Sequence, residues 1–335
     1  MYQNIWFDVR KNKMHLWDDT KGYLQLPYKK YAYVKDRNGQ HISLYGERLK
    51  RATSFDKDDP TLHESDIPPM TRFLVDQYTD SDESSVGHRV MFFDIEVEVT
   101  EGFPDVQKAY NPITSIALYD CIAEKYFTYC FDPQKRIESY EKGEEVVEFY
   151  ETEYEMLNKF FQKYLEIRPT IISGWNSEFF DIPYLYNRAV RILGPELANL
   201  LSPISQVIYS EYKKKHTIAG VSSLDYLQLY RQFTFTMQSS YRLDYIGEVE
   251  VGMKKVDYGR VFAAYEESKQ YCRLWNVAAK IQEFYEHVLG LNLSQYPCEV
   301  ALDHINNEWL PELHILEKLF SKLMIQFQII SQTKT

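Results

Sequence analysis

From Arg89 onward the apolar positions switch between two periods. The runs "RVMFFDIEVEV", "PITSIALYD" and "KYFTYCF" predict three strands in succession. "YETEYEMLNKFFQKYLEI" predicts an amphipathic helix, with Tyr154, Leu157, Phe160, Phe161 and Tyr164 at helical spacing. "TIISGW" reads as a short apolar strand and "DIPYLYNRAVRILG" as a helix, which Asp181 can cap, Pro183 suits in its first turn and Gly194 can end. This order predicts an α/β domain with a mixed sheet over residues 89–260. Residues 1–88 read as a smaller, mostly β domain of short strands and turns. There "RNGQ" (Arg37 to Gln40) predicts a hairpin between two Tyr-rich runs. The polar, acidic stretch "YTDSDESSVGHR" from Tyr78 reads as a linker loop. Residues 261–335 read mostly as helices, one with Leu313, Leu316, Phe320, Leu323, Phe327 and Ile330 on a single stripe.

One predicted strand carries an unusual load. Period two places Met91, Phe93, Ile95, Val97 and Val99 on one face and Phe92, Asp94, Glu96 and Glu98 on the other. Residues two apart lie roughly 6.6 Å apart at Cα, so Asp94 and Glu96 can converge on one small object. Their charges repel unless water or a cation separates them. Taken alone, this is equally a solvent-facing strand of an acidic protein, and Asp181 alone is an ordinary helix cap. Together they form a strand bearing Asp-x-Glu, followed about 85 residues later by a strand, a loop and an Asp at a helix start. That arrangement can hold two divalent ions, because carboxylates are the hard ligands that Mg²⁺ and Mn²⁺ require.

Composition narrows the alternatives. The chain has 335 residues, 44% hydrophobic and 26% charged, which suits two or three globular domains. Its formal net charge of −11 argues against a non-specific duplex coat but leaves room for an enzyme that grips a strand locally. Cys121, Cys130, Cys272 and Cys298 form no CxxC pair, so they read as free thiols in a reducing compartment. No signal peptide and no apolar run near 18 residues is evident, so a soluble, cytoplasmic protein without membrane contact is expected. His304, Glu308 and His314 do not repeat a helical turn, which makes a zinc site there a weak reading.

The runs "FFDIEVE" and "GWNSEFFDIPYLYNR" resemble the first and second exonuclease motifs of family B DNA polymerases, most of all those of tailed bacteriophages. The resemblance continues through "SLDYLQLYRQFTF" and "SYRLDYIGEVEVGMKK" and extends from about Tyr31 to Tyr258. It implies a ribonuclease-H-like 3′→5′ proofreading exonuclease domain that acts on the single-stranded 3′ end of a DNA primer. By the resemblance Asp94, Glu96 and Asp181 are catalytic, metal-binding carboxylates for Mg²⁺ or Mn²⁺. Gly174, Trp175, Asn176 and Phe180 shape the groove beside the terminal nucleotides, and Glu98 has no such role.

The sequence departs from the family in two places. The family places a fourth carboxylate in a Tyr-x-x-x-Asp motif, yet here Tyr265, Tyr271 and Tyr285 are followed four residues on by Lys269, Trp275 and Leu289. The next Asp is Asp303. The polymerase motifs are also missing, so this chain by itself is not expected to synthesise DNA. Three explanations are open: a frameshift, recombination joint or intron boundary in the gene; a split gene with a separately encoded polymerase half; and a diverged domain with altered ligands. The leading expectation is the N-terminal and exonuclease part of a phage-type replicative polymerase, with impaired hydrolysis. A stand-alone exonuclease and a catalytically silent module that binds single-stranded nucleic acid by aromatic stacking are the alternatives.

Overall fold

The computed structural model describes residues 1–253, except 57, 80–82, 100–101 and 134–137. Contacts divide the chain into two compact units at His88/Arg89.

In the first unit β1 (Tyr2–Asp8), β2 (Lys13–Asp18) and β3 (Gly22–Pro27) form an antiparallel meander. A second small sheet contains β4 (Ala32–Lys35), β5 (His41–Ile42) and β6 (Arg48–Ala52), and helix α1 (Pro69–Tyr78) follows. Phe7, Met14, Leu16 and Phe73 make the core. Two expectations change here. The Asn-Gly pair does not close a hairpin: the turn spans Asp36 to Gly39, where the Gly39 N–H donates to the Asp36 carbonyl at 2.9 Å, and β4 and β5 both pair with β6, in the order β4-β6-β5. Gly39 lies against the backbone of β6, where a Cβ would stand 2.2 Å from the Leu49 carbonyl oxygen, so the glycine serves a close approach. Tyr78 is no linker residue: it ends α1 and its hydroxyl donates to Asp18 Oδ2 at 2.7 Å.

The second unit begins with β7 (Val90–Val97), β8 (Ile113–Asp120) and β9 (Lys125–Phe131), an antiparallel run. Next come β10 (Tyr140–Lys142), β11 (Glu145–Tyr150), α2 (Glu153–Ile167), β12 (Ile171–Gly174), α3 (Asp181–Leu193) and the single turn α4 (Pro195–Ala198). The hairpin β13 (Val207–Ser210) and β14 (Lys215–Ile218), then β15 (Ser222–Asp225), α5 (Tyr226–Phe233) and α6 (Leu243–Val251), follow among the described residues. Seven strands form a mixed sheet in the order β10-β11-β9-β8-β7-β12-β15, with β12 parallel to both β7 and β15. The mixed α/β class read from the sequence is the observed one.

Both faces of this sheet are covered. Met91, Phe93 and Ile95 join the core made with α2 and α3, while Phe92 packs with Tyr226 and Tyr230 of α5 and Leu243 and Ile246 of α6. The face that carries Asp94 is therefore no open surface, since Phe92 beside it is fully buried. Helix α2 starts where Thr152 Oγ1 accepts the Glu155 N–H at 3.2 Å. Its buried stripe includes Met156, whereas Tyr154 faces solvent. Gly194 ends α3 at φ +89°, a conformation that a glycine adopts without strain. No helix among the described residues is long and apolar enough to cross a membrane.

A buried ion pair locks α2 to α3. Arg188 Nε donates to Glu153 Oε1 at 2.8 Å, and Arg188 Nη1 donates to the carbonyls of Ala109 and Tyr110 at 3.1 and 2.6 Å. Glu153 Oε1 also accepts the Ile113 N–H at 2.8 Å, so the pair fixes the loop that enters β8. Arg188→Ala leaves a buried carboxylate unpaired and is expected to lower the unfolding free energy by about 3–5 kcal/mol. The double variant Arg188→Met/Glu153→Leu is expected to lose less, as read by urea denaturation.

Candidate active site

Strand β7 outruns its neighbour. Its last parallel pair with β12 is Phe92 with Ser173, and β12 stops at Gly174. On that side the N–H of Ile95 meets no strand, and the Asp181 carboxylate takes the place of one, accepting it through Oδ1 at 3.2 Å. Asp181 is 3% exposed and is the first residue of α3, but it is not the cap: Phe180 holds that position, and no side chain caps the helix there. The cap expectation fails because the side chain reaches sideways into the sheet rather than back to its own helix.

Asp94 and Glu96 flank Ile95 and are half-buried. They stand opposite Ala117 and Ser115 of β8, and a bulge follows between Glu96 and Val97. Such an irregularity re-aims the side chains next to it. The Glu96 carbonyl accepts from Thr114 Oγ1 at 3.1 Å, and the Glu98 backbone is held by Pro112 and Asn111, so the end of β7 is fixed. The three carboxylates sense one another. Burial pushes the Asp181 carboxyl well above the usual carboxylate range, and Asp94 pushes it further. The N–H groups of Ile95 and Asp181 oppose this, and Glu96 adds a smaller upward push.

The remaining motif residues occupy the loop between β12 and α3. Gly174 is buried, and a Cβ there would stand 2.6 Å from the Phe93 carbonyl oxygen, so the loop can leave β12 this close to β7 only without a side chain. Trp175 turns toward α5 and α6: its indole N–H donates to the Tyr241 carbonyl at 3.0 Å, and its ring lies 6.2 and 6.0 Å from those of Tyr226 and Tyr230. Asn176 adopts the left-handed conformation, at φ +65°. Phe180 sits between Tyr184 and Phe103, with ring centroids 5.7 and 5.2 Å away.

Sequence reasoning passed over two residues beside this group. Phe103 is 81% exposed and offers a ring at the site, but one aromatic residue in the loop "EGFPD" carries no periodic signal. Asp225 is buried at the end of β15, where an Asp before an apolar helical run was a readable cap signal. The windows holding Tyr265, Tyr271, Tyr285 and Asp303, the candidate zinc ligands His304, Glu308 and His314, and the helices expected over 261–335 lie outside the described residues.

Among the described residues no three His, Cys, Asp or Glu side chains are drawn together tightly enough to hold a metal ion as they stand. The donor chemistry nonetheless fits a hard divalent cation: three carboxylates gather near the end of β7, and Asp94 and Glu96 both oppose the ionised form of the buried one.

Comparison with known proteins bears on this geometry. Residues 74–246 match the family model described as DNA polymerase family B, exonuclease domain. The DNA-directed DNA polymerase of Escherichia phage RB69 is 36% identical over 209 residues, which cover 54% of this chain and 23% of that protein. That of Enterobacteria phage T4 is 34% identical over 193 residues, 49% of this chain and 21% of the relative. The DNA polymerase catalytic subunit of Equine herpesvirus 2 is 27% identical over 187 residues, 51% of this chain and 18% of the relative. The chain thus spans less than a quarter of the length of these relatives.

The raised Asp181 carboxyl has a consequence for stability. Between its unfolded value, about 3.9, and its higher folded value, the folded chain holds a proton that the unfolded chain releases. Stability from this group is therefore full in acid and declines as pH rises through the folded value. In the presence of a chelator, Asp181→Asn is expected to raise the unfolding midpoint at pH 8 and to leave it nearly unchanged at pH 4. Thermal scans at the two pH values check this.

Proposed function

The chain belongs to DNA polymerase family B through the exonuclease domain of that family, and on that premise we propose that it hydrolyses the 3′-terminal phosphodiester of single-stranded DNA, the proofreading reaction. The observation that supports this most is the placement of Asp181 against Ile95, between Asp94 and Glu96. This puts three carboxylates from two elements far apart in sequence near one another where β7 passes the end of β12.

Exonuclease domains of this family depend on divalent metal, and Asp94, Glu96 and Asp181 are the residues that would hold Mg²⁺ or Mn²⁺. Bound there, such ions supply a hydroxide-like nucleophile and stabilise the leaving oxygen. The protein's own contribution is position. The strand fixes Asp94 and Glu96 at period-two spacing, and the Ile95 N–H keeps the Asp181 carboxylate turned toward them. Phe103 and Phe180 offer aromatic surface on which a terminal base stacks, a contact worth roughly 1–3 kcal/mol per base and indifferent to sequence. Asn176 and the half-buried Glu178 border the same loop. The net charge of −11 gives no general attraction for DNA, so recognition is local to this site.

The reaction is impaired in this reading. No tyrosine in the expected window is followed by an Asp four residues on, so a metal ligand and the Tyr that orients the attacking water are both missing. A separately encoded polymerase half is a further element of the proposal, and a phage-encoded chain would act in the host cytoplasm.

With Mg²⁺ or Mn²⁺ the full chain is expected to shorten a labelled single-stranded DNA from its 3′ end at least about a hundredfold more slowly than an intact family member, since each 1.36 kcal/mol of lost transition-state stabilisation costs about tenfold. Asp94→Ala is expected to abolish the residual cleavage. Full-rate cleavage would show that a substitute ligand completes the site. DNA binding without any metal-dependent cleavage would favour the silent binding module.

A further inference from the structure

Asp225 pairs in parallel register with Gly174, so β12 and β15 end side by side. Its side chain is 3% exposed and accepts N–H groups from two directions. Leu227 and Gln228, at the start of α5, donate to Oδ1 at 3.0 and 3.4 Å, an ordinary helix cap. The loop that leaves β12 supplies the rest: Asn176 donates to Oδ1 at 3.1 Å and Glu178 donates to Oδ2 at 3.1 Å. A cap needs only one oxygen, and here the second serves the loop alone.

That loop is held by hydrogen bonds rather than by a strand or helix. Asn176 holds a left-handed backbone, which asparagine adopts more readily than most residues. Its carbonyl then accepts the N–H groups of Phe179 and Phe180 at 3.1 and 3.2 Å, and the Ser177 carbonyl accepts that of Ile182 at 2.9 Å. Hydrogen bonds thus run without a break from Asp225 through the loop to the first turn of α3, where Asp181 meets β7. We infer that Asp225 is a positioning residue of the site: it sets the loop that carries Asn176 and delivers Asp181. It touches neither the substrate nor an ion. The inference rests on the hydrolytic reading of Asp94, Glu96 and Asp181.

The chemistry of an amide separates this role from the cap. In Asp225→Asn, Oδ1 can keep Asn176, Leu227 and Gln228, but Nδ2 sets a donor against the Glu178 N–H, which loses its acceptor. Asp225→Ser keeps an oxygen for the cap and drops both loop bonds.

The test uses the full chain, the two variants and Asp94→Ala. Mn²⁺ binding is followed by electron paramagnetic resonance of the free ion, 3′ hydrolysis of single-stranded DNA is measured in Mn²⁺, and folding is checked by thermal unfolding. Both Asp225 variants are expected to unfold cooperatively near the wild-type midpoint and to bind Mn²⁺ several-fold more weakly. Their kcat is expected to fall roughly ten- to a hundredfold with KM within about twofold, the cost of a displacement of about 1 Å. Should Asp225→Ser fail to fold, Asp225→Asn decides alone. Mn²⁺ binding that Asp94→Ala abolishes but Asp225→Asn leaves intact would reduce Asp225 to a helix cap and overturn the inference, with the hydrolytic reading untouched. A wild-type chain that neither binds Mn²⁺ nor cleaves DNA would overturn the hydrolytic reading, and the inference with it.

Discussion

One hydrogen bond organises the site: the N–H of Ile95 to the buried carboxylate of Asp181. It exists because β7 is longer than its parallel neighbour. Where β12 stops, a sheet would leave a backbone donor of β7 without a partner, and a buried N–H left that way is costly. A side chain from the next helix fills the gap. The residue that fills it is an acid, and the strand it reaches carries two more, one on either side of Ile95. The fold thereby concentrates three acids near the end of one central strand.

That concentration has a cost, which the pKa of Asp181 records. Burial and the field of Asp94 both oppose its ionised form, and two N–H groups offset only part of this. The arrangement is poor as packing and well suited to a site that completes itself with a cation. The surrounding residues protect it. Gly174 lets the loop leave β12 against Phe93, Asp225 grips that loop by two N–H groups, and Trp175 anchors it to the α5–α6 side. Lys215 of β14 adds an ion pair to Glu178 at 2.7 Å, which ties the hairpin to the same loop.

The parts of this that the sequence revealed are those governed by a local period. Alternation along Met91 to Val99 separated the acids from the apolar face, helical spacing located α2, and Pro183 and Gly194 marked the ends of α3. The parts that depend on distant backbone were not legible. Asp181 looked like a helix cap because a cap and a residue one step inside the helix share the same signal. Asp225 carried a readable cap signal, but its hold on the loop was hidden because its loop partners lie nearly fifty residues earlier in the chain. A turn does fall at Asp36 to Gly39, but not as the expected Asn-Gly hairpin, because the strand that pairs with both its arms comes later. Strand β11 was missed because "EEVVEFY" merges into the polar start of α2, and only its parallel pairing with β9 defines it. Phe92 looked solvent-facing because nothing local announces the α5–α6 layer that covers it.

The central claim is that Asp94, Glu96 and Asp181 act together as one cation site. Anomalous scattering from crystals of the full chain soaked in Mn²⁺ tests it most directly. The account predicts a manganese peak bound by carboxylate oxygens of Asp94 and Asp181 at the end of β7, with the Ile95–Asp181 hydrogen bond retained. Manganese found only elsewhere, or an Asp181 side chain turned away from β7, would contradict it.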